Sequence, residues 1–151
     1  MITKQIASVL ITAFKHGKKA LICGNGGSAT LADHMAGEFV GKFKRLRKSL
    51  PAISLTNPGM ITAIGNDYGF DKVFVRQIEA YGKSGDVLIT MSTSGNSNNI
   101  FKAQLVGASM GMIVIPFPTN QETGKDTAGT QEIHLQMIHE ICELVEKEFI
   151  T

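Results

Sequence analysis

The spacing of apolar residues divides the chain into alternating helices and strands. Apolar residues at helical spacing predict a first helix over Ile2 to Phe14, which His16-Gly17 ends. The continuous apolar run Ala20 to Cys23 is typical of a short buried strand. The same patterns predict strands at Pro51 to Thr56, Val87 to Met91 and Gly111 to Ile115, and helices at Ala29 to Phe43, Met60 to Ile64, Asp71 to Tyr81, Ile100 to Met110 and Gly129 to Phe149. This alternation predicts an α/β fold with a parallel sheet and helices on both faces.

The sheet predicted in this way is thin. Pro116 to Thr127 is polar and shows no repeating pattern, so four strands end in a connection without structure of its own. We therefore expect a fifth strand and the helix before it to be absent from this chain. A length of 151 residues fits one domain, residues 1–151.

The segment Gly85 to Asn99 changes abruptly from apolar to polar at its centre. The predicted strand Val87 to Met91 is followed by Ser92 to Ser97, which holds four hydroxyls and one glycine, and then by the start of a helix. Backbone N–H groups, hydroxyls and the helix dipole at such a junction favour a phosphate group. A helix cap is the alternative, but a cap needs one hydroxyl and four are present.

A second strand, loop and helix unit strengthens this interpretation. Gly24-Asn25-Gly26-Gly27-Ser28 directly follows the first strand, without the lysine of a P-loop or the glycine spacing of a dinucleotide site. Ligands of parallel α/β sheets bind at the carboxyl ends of the strands, and both loops fall there. Asn66-Asp67-Tyr68-Gly69 is predicted to be a further loop.

Charge and cysteine content exclude several classes of protein. Fifteen basic and 13 acidic residues are too balanced to indicate a nucleic-acid partner. The densest basic run, Lys42 to Lys48, is typical of a solvated helix end, or else could attract an anionic substrate. Cys23 and Cys142 form no metal or redox motif and suit a reducing compartment. With neither a visible signal peptide nor an apolar run long enough for a bilayer, we expect a cytoplasmic protein without membrane contact.

His34 and Glu38 are four residues apart and share one face of the helix that follows the glycine loop. They are either a hydrogen-bonded surface pair or a metal or acid–base pair. Gln131 and His139 on the last helix offer complementary ligands, whereas His134 points well away from His139.

Six stretches of the sequence, taken together, resemble a sugar isomerase (SIS) domain and, more closely, the phosphoheptose isomerase family. They are GNGGSATLADHMAGEF, LPAISLT, TAIGNDYGF, FVRQIEAYG, GDVLITMSTSGNSNNI and QEIHLQMIHEICELVE. The resemblance covers Met1 to about Ile115 and about Asp126 to Glu148, and it implies a flavodoxin-like parallel sheet between helices.

The resemblance also implies an activity, a metal and an assembly. Family members interconvert sedoheptulose 7-phosphate and a glycero-manno-heptose 7-phosphate on the route to the bacterial heptoses of lipopolysaccharide. They are homotetramers with zinc in active sites between subunits. Implied substrate contacts are Asn25, Gly26, Gly27, Ser28, Glu38, Asn66, Asp67, Ser92, Thr93, Ser94, Ser97 and Gln131, and implied metal ligands are His34, Glu38, Gln131 and His139.

The isomerisation requires a base that moves a proton between adjacent carbons. We expect Glu38 to be this base and His139 its acid–base partner, with zinc as electrophile or as the group that fixes both. The chain departs from the family by a shorter connection after Ile115, by one N-terminal helix fewer, and by Gly129-Thr130 where the family motif DTARIQE has Arg-Ile.

Two other functions compete with the isomerase. A non-catalytic SIS module that binds a phosphosugar or a replication initiator lacks the glutamate four residues after the histidine, so the presence of Glu38 and His139 favours the enzyme. A glucosamine-phosphate type of SIS enzyme is disfavoured by the GNGGS loop and the QEIH helix.

The spacing of Gln131 and His139 conflicts with a single shared ion. Eight residues separate them by about 12 Å along a helix and about 80° around it. We therefore expect either that two chains share each site or that one of the two residues lies outside the metal core. In the second case His34, Glu38 and His139 form the metal core and Gln131 holds substrate, and we expect all four side chains to converge on one cleft beside Ser28 and Thr93. A two-fold symmetric oligomer is expected because both terminal helices are apolar on more than one face, at Ile2, Ile6, Leu10 and Phe14 and at Leu135, Ile138, Ile141 and Leu144.

Overall fold

The computed structural model describes residues 2–150, which form four strands and seven α-helices. The helices are α1 (Ile2–Lys15), α2 (Gly27–Val40), α3 (Pro58–Tyr68), α4 (Val75–Tyr81), α5 (Asn98–Ser109), α6 (Asn120–Thr123) and α7 (Thr127–Glu146). The strands are β1 (Ala20–Gly24), β2 (Ala52–Ser54), β3 (Val87–Met91) and β4 (Ile113–Pro116), and short 3-10 helices lie at Phe70–Lys72 and Lys147–Phe149.

The four strands form one parallel sheet in the order β2-β1-β3-β4, which confirms the predicted α/β architecture. β1 and β3 pair along their whole length, from Ala20 opposite Val87 to Gly24 opposite Met91. The two loops that follow these strands therefore leave the sheet side by side.

Helices cover both faces of the sheet, as the continuous apolar strands predict. Ala20 and Ile22 of β1 and Val87 and Ile89 of β3 face a core that contains α1, α2 and α7. The alternate residues, Leu21, Cys23 and Leu88, face a second core with α4 and α5.

The terminal helices bury most of their apolar residues within one chain. Ile6, Leu10 and Phe14 of α1 and Ile138 and Ile141 of α7 are buried together in the first core. Ile2 is 49% exposed, and Leu135 and Leu144 are half-buried. The expected oligomer stays a prediction.

α3 is longer than the sequence analysis predicted. Asn66 and Asp67 were assigned to a loop, but the helix continues through both to Tyr68 and ends at Gly69, whose φ of 102° suits a glycine. Asn57 caps its start by accepting a hydrogen bond from the Met60 N–H at 3.0 Å. No residue of α3 is buried, so its apolar pattern is weak.

Two further boundaries differ from prediction. The single helix expected over Asp71 to Tyr81 is a 3-10 turn at Phe70–Lys72 followed by α4. The polar stretch after β4 contains α6, which begins with a capping box between Thr119 and Glu122. This S/T-x-x-E spacing was visible in the sequence and was overlooked.

The edge strands of the sheet are β2 and β4. β4 pairs only with β3 among residues 2–150, and Ile113 at its start is 44% exposed. This edge is where the thin sheet was expected to end. Among the helices of the described residues, none is long and apolar enough to cross a membrane.

A buried ion pair fixes the amino-terminal edge of the sheet. Asp86 is 2% exposed and accepts hydrogen bonds from Lys19 Nζ (2.7 Å), the Lys19 N–H (3.1 Å) and the Lys83 N–H (2.8 Å). Burial alone would raise the pKa of the Asp86 carboxyl, but Lys19 and the two backbone donors outweigh burial and lower that pKa. The ionised Asp86 carboxylate thus holds together the segments that precede β1 and β3.

We expect Asp86→Asn to lower the free energy of unfolding at pH 7 by about 2–3 kcal/mol, because a charged acceptor with three donors is lost. Because folding lowers the pKa of the Asp86 carboxyl, the ionised carboxylate stabilises the native state at pH values above its pKa in the unfolded chain. This stabilisation is lost as the pH falls through the pKa of the folded protein. The difference between variant and parent should therefore shrink below about pH 4. Urea titrations across pH measure it.

The matched control for this prediction is Glu148→Gln at the exposed pair with Lys15, whose atoms lie 3.5 Å apart. Its effect should be below about 1 kcal/mol at every pH. Equal effects of the two substitutions would contradict the role assigned to Asp86.

Candidate active site

The side chains of His34, Glu38 and His139 meet between α2 and α7. His34 Nε2 lies 3.0 Å from His139 Nε2 and 4.0 Å from Glu38 Oε2, and one ligand atom from each residue lies within 4.8 Å of the other two. The i, i+4 spacing on α2 places two of these groups on one face, and packing of α7 on α2 adds the third. We call these three residues the triad.

The donor set of the triad suits a metal ion. Two imidazole nitrogens and one carboxylate oxygen are ligands that zinc accepts with bonds of about 2.0–2.2 Å, leaving a fourth position for water or substrate. Nitrogens 3.0 Å apart need to separate only slightly to bind one tetrahedral ion. The triad therefore suits a metal ion of borderline softness, such as zinc.

The triad is open to solvent on one side. The His34 side chain is 42% exposed and the Glu38 side chain 23% exposed. The cleft predicted around these groups is therefore incomplete within a single chain.

The side chain of Gln131 lies beside the glycine loop. A Cβ built on Gly27 would come 3.0 Å from Gln131 Cδ and 3.1 Å from its Oε1, so the amide lies directly over the loop backbone. Gly27 and Gln131 precede the contact of His34 with His139 by seven and eight residues, roughly 10–12 Å of helix. This position favours the expectation that Gln131 lies outside the metal core.

His134 faces the interior, away from the triad, as its spacing from His139 indicates. It is fully buried, and its Nε2 lies 2.7 Å from the Pro118 carbonyl oxygen. Burial lowers the pKa of His134, and the hydrogen bond to Pro118 opposes this only in part. His134 thus fastens α7 to the segment after β4.

The glycine loop turns directly into the start of α2. Gly26 has φ 57° and ψ −122°, a conformation that requires glycine, and no atom lies within 4 Å of where a Cβ would stand. The Ser28 and Ala29 N–H groups donate to the Asn25 and Gly26 carbonyl oxygens, both at 3.0 Å. Ser28, an expected substrate contact, is buried beneath the loop.

Ser92 to Ser97, which we call the serine loop, carries hydroxyls that shape the loop and remain able to donate. Ser92 Oγ accepts the Gly95 N–H at 3.0 Å, and Ser94 Oγ accepts the Asn96 N–H at 3.1 Å. Ser97 stands at the N-cap position of α5, yet its side chain makes no capping hydrogen bond. The helix-cap alternative therefore does not explain Ser97, which favours the anion site.

A small cavity adjoins the serine loop. Its volume is about 190 Å³, and its polar lining includes Thr90, Ser92, Ser97, Gln104 and Thr119. Thr93 lies at the same loop, where its carbonyl oxygen accepts the Asn120 N–H. A space of this size suits a group no larger than a phosphate with a few neighbouring atoms.

A reciprocal amide pair joins the two loops, and the sequence analysis missed one half of it. Asn25 Nδ2 donates to Asn99 Oδ1 and Asn99 Nδ2 donates to Asn25 Oδ1, both at 2.9 Å. Asn99 is buried, so water does not compete for its hydrogen bonds with Asn25. Only the adjacency of β1 and β3 in the sheet could have revealed that Asn99 reaches Asn25.

Asn66 and Asp67 lie apart from this arrangement. Both are exposed on α3, and Asn66 Nδ2 donates to Asp67 Oδ1 at 3.1 Å. Within residues 2–150, no hydrogen bond joins either side chain to the glycine or serine loop, so a substrate contact there stays a prediction.

The basic run is not simply a solvated helix end, as was expected. Arg47 is buried and pairs with buried Glu146, with Nε and Oε2 3.2 Å apart. Arg45 Nη1 and Lys44 Nζ lie 2.7 and 3.3 Å from Glu143, and with Lys147 they lower the pKa of that carboxyl to about 2. The run is therefore held against α7 by two carboxylates.

The chain is similar in sequence to known proteins. A family model described as the SIS domain matches residues 3–118. The phosphoheptose isomerase of Clostridium acetobutylicum is 46% identical over 160 residues, covering 96% of this chain and 81% of that protein. The phosphoheptose isomerase of Campylobacter concisus is 47% identical over 149 residues, covering 89% and 79%.

Solved structures agree with the sequence matches. The phosphoheptose isomerase structure from Neisseria gonorrhoeae superposes with a TM-score of 0.85 at 36% identity, covering 96% of this chain and 85% of that chain. The phosphoheptose isomerase structure from Francisella tularensis gives 0.87 at 32% identity with the same coverage. The Clostridium alignment is longer than the part of this chain that it uses, so that relative has internal residues without a counterpart here.

We expect Gly27→Ala and Gly24→Ala to differ sharply. At Gly27 the new methyl group meets only the flexible end of Gln131, which can swing aside, so the free energy of unfolding should change by less than about 1 kcal/mol. At Gly24 it meets Ser28 Cβ at 2.7 Å and the Ser28 backbone at 2.9 Å, and overpacking there should cost about 1–3 kcal/mol or more.

Urea unfolding measures both stabilities, and the side-chain amide signals of Gln131 report its displacement in Gly27→Ala. An unchanged Gln131 signal in folded Gly27→Ala would contradict the contact.

Proposed function

The chain belongs to the phosphoheptose isomerase family of SIS domains, and on this premise we propose that it interconverts sedoheptulose 7-phosphate and D-glycero-D-manno-heptose 7-phosphate. The observation that carries the proposal is the triad of His34, Glu38 and His139, whose helix α2 begins at the glycine loop beside the serine loop. Family members carry phosphoheptose isomerase as their name, and the triad supplies groups that this chemistry needs.

The serine loop binds the substrate phosphate in this proposal. Ser92, Ser94 and Ser97 offer hydroxyl donors, and the start of α5 adds backbone N–H groups and the positive end of a helix dipole. Thr93 belongs to the same loop. The sugar hydroxyls are oriented by the adjacent glycine loop and by the side chain that lies against it. The residues concerned are Asn25, Gly26, Gly27, Ser28 and Gln131.

Glu38 and His139 move the protons. The Glu38 carboxylate removes a proton from C1 of the ketose, which leaves a cis-enediol, and returns it to C2 of the aldose. His139 exchanges the hydroxyl proton between O1 and O2, so that one carbonyl forms as the other disappears. The two groups lie within 4.8 Å of each other, close enough to act on adjacent carbon atoms.

Zinc held by His34, Glu38 and His139 would polarise the substrate carbonyl as a Lewis acid. Gln131 belongs to the family's ligand set, and its contact with Gly27 supports a role toward substrate instead.

A homotetramer with active sites between subunits would complete this site. The open side of the triad at His34 supports a covering surface from another chain. We further infer one domain over residues 1–151 and a cytoplasmic location, in line with the sequence analysis.

We expect the protein with zinc to convert sedoheptulose 7-phosphate to an aldose product, observed by NMR. Glu38→Gln keeps the shape of the side chain but cannot accept the proton, so turnover should fall by about 10²–10⁴-fold. Zinc content must be measured in the same samples. Turnover near that of the parent with zinc retained would rule out Glu38 as the base.

We expect Ser97→Ala to raise the KM about tenfold or more, because a hydrogen bond to a charged group contributes about 1.5–3 kcal/mol. Ser109→Ala is the matched control, since Ser109 lies at the far end of α5 and its hydroxyl donates to the Val106 carbonyl. Equal KM values for both variants and the parent would place the phosphate elsewhere. Tight binding without turnover in the parent would instead indicate a non-catalytic module.

A further inference from the structure

Glu146 is a buried carboxylate that the proposed chemistry does not use. It is 1% exposed at the last turn of α7, two turns after His139. Its Oε1 accepts the N–H groups of Lys44 and Arg45, both at 2.8 Å, and its Oε2 accepts the N–H of Phe43 at 2.9 Å. Three consecutive backbone N–H groups therefore hold this carboxylate in one position.

One connection runs from Glu146 through Arg47 to the metal-ligand helix. Arg47 Nε donates to Glu146 Oε2 at 3.2 Å, and its Nη1 donates to the Phe39 and Gly41 carbonyls at 2.8 and 2.9 Å. Its Nη2 donates to the carbonyl oxygen of Glu38 itself. Arg47 therefore satisfies the free carbonyl groups at the end of α2 and ties that end to α7.

A second connection runs through Phe43 to the ligand on α7. The Phe43 N–H is held by Glu146, and the Phe43 ring lies 5.2 Å from the His139 ring with 34° between their planes. The ring thus restricts the rotation of the His139 imidazole. The His139 ring also contacts the His34 ring, with 5.2 Å between the ring centroids.

We propose that Glu146 is a positioning residue for the triad, which fixes Glu38 through Arg47 and His139 through Phe43. The carboxylate touches neither metal nor substrate. It determines the separation of α2 and α7 at the level of the triad and the orientation of one imidazole. Outer groups that orient metal ligands in this way contribute about 10–100-fold to metal affinity.

The electrostatics of Glu146 agree with a fixed, ionised anchor. Burial by itself would raise the pKa of its carboxyl, but the N–H groups of Phe43, Lys44 and Arg45, with the charge of Arg47, outweigh burial and lower that pKa. The anchor is therefore charged throughout the neutral range.

Glu143 provides a matched comparison on the same helix. It lies one turn before Glu146 and pairs with Lys44, Arg45 and Lys147, but its contacts are with side chains only. Glu143→Gln thus removes a carboxylate from the same basic segment without releasing the backbone of residues 43–45.

The test is a titration of the purified, metal-free proteins with Co²⁺, followed by absorbance. Glu146→Gln keeps the shape of the side chain and should raise the Kd for Co²⁺ about 10–100-fold, whereas Glu143→Gln should stay within about twofold of the parent. A merely structural role would lower the free energy of unfolding yet leave the Kd of the folded protein unchanged. The measurement is therefore made where circular dichroism shows each variant fully folded.

Phe43→Leu keeps the fold-determining backbone bonds and tests the second connection if Glu146→Gln does not fold. It should raise the Kd for Co²⁺ at least about threefold, as the ring over His139 is lost. Parental Kd values in folded Glu146→Gln, or in Phe43→Leu where only that variant folds, would overturn the proposal. Absence of Co²⁺ binding by the parent at millimolar concentration would overturn it as well.

The inference rests on the triad of the proposed function, but its measurement needs no heptose. If the parent binds Co²⁺ but does not convert sedoheptulose 7-phosphate, the isomerase proposal is rejected and the role of Glu146 still stands.

Discussion

The parallel pairing of β1 with β3 is the constraint on which the site depends. Because Gly24 lies opposite Met91, the glycine loop and the serine loop leave the sheet at the same height and side by side. The reciprocal amide bonds between Asn25 and Asn99 then join the starts of α2 and α5. A slip of one residue in this pairing would turn each strand's side chains to the other face and separate the loops.

The packing of α7 along α2 divides the site into two parts. Gln131 meets Gly27 at the loop end, and His139 meets His34 two turns further on. Both helices advance in the same direction between these contacts, so the glycine loop and the triad lie at two levels of one helix pair, roughly 10–12 Å apart along it. Glu146 and Arg47 close the far end of the same helix pair.

The sequence predicted the larger features because they depend on local patterns. Strands β1 and β3, the helices after them and the i, i+4 pair of His34 and Glu38 follow from periodicity, and the spacing on α7 correctly separated His134 from His139. The extent of α3 was missed because a helix without buried residues leaves little apolar pattern. The partnerships of Asn99 with Asn25 and of Arg47 with Glu146 join residues 74 and 99 positions apart, which no local pattern can indicate.

The attachment of α7 has a consequence for how such a chain tolerates insertions and deletions. The register of α7 is set by lateral contacts with Gly27, His34 and the loop after α2, and Asp126 caps its start on its own by accepting the Gly129 N–H. The connection from β4 contacts the early part of α7, where Thr123 Oγ1 lies 2.7 Å from Thr130 Oγ1 and the Pro118 carbonyl oxygen lies 2.7 Å from His134 Nε2. A change in the length of this connection would therefore act first on the loop end of α7, beside Gln131, and less on His139, which lies more than one helical turn further on.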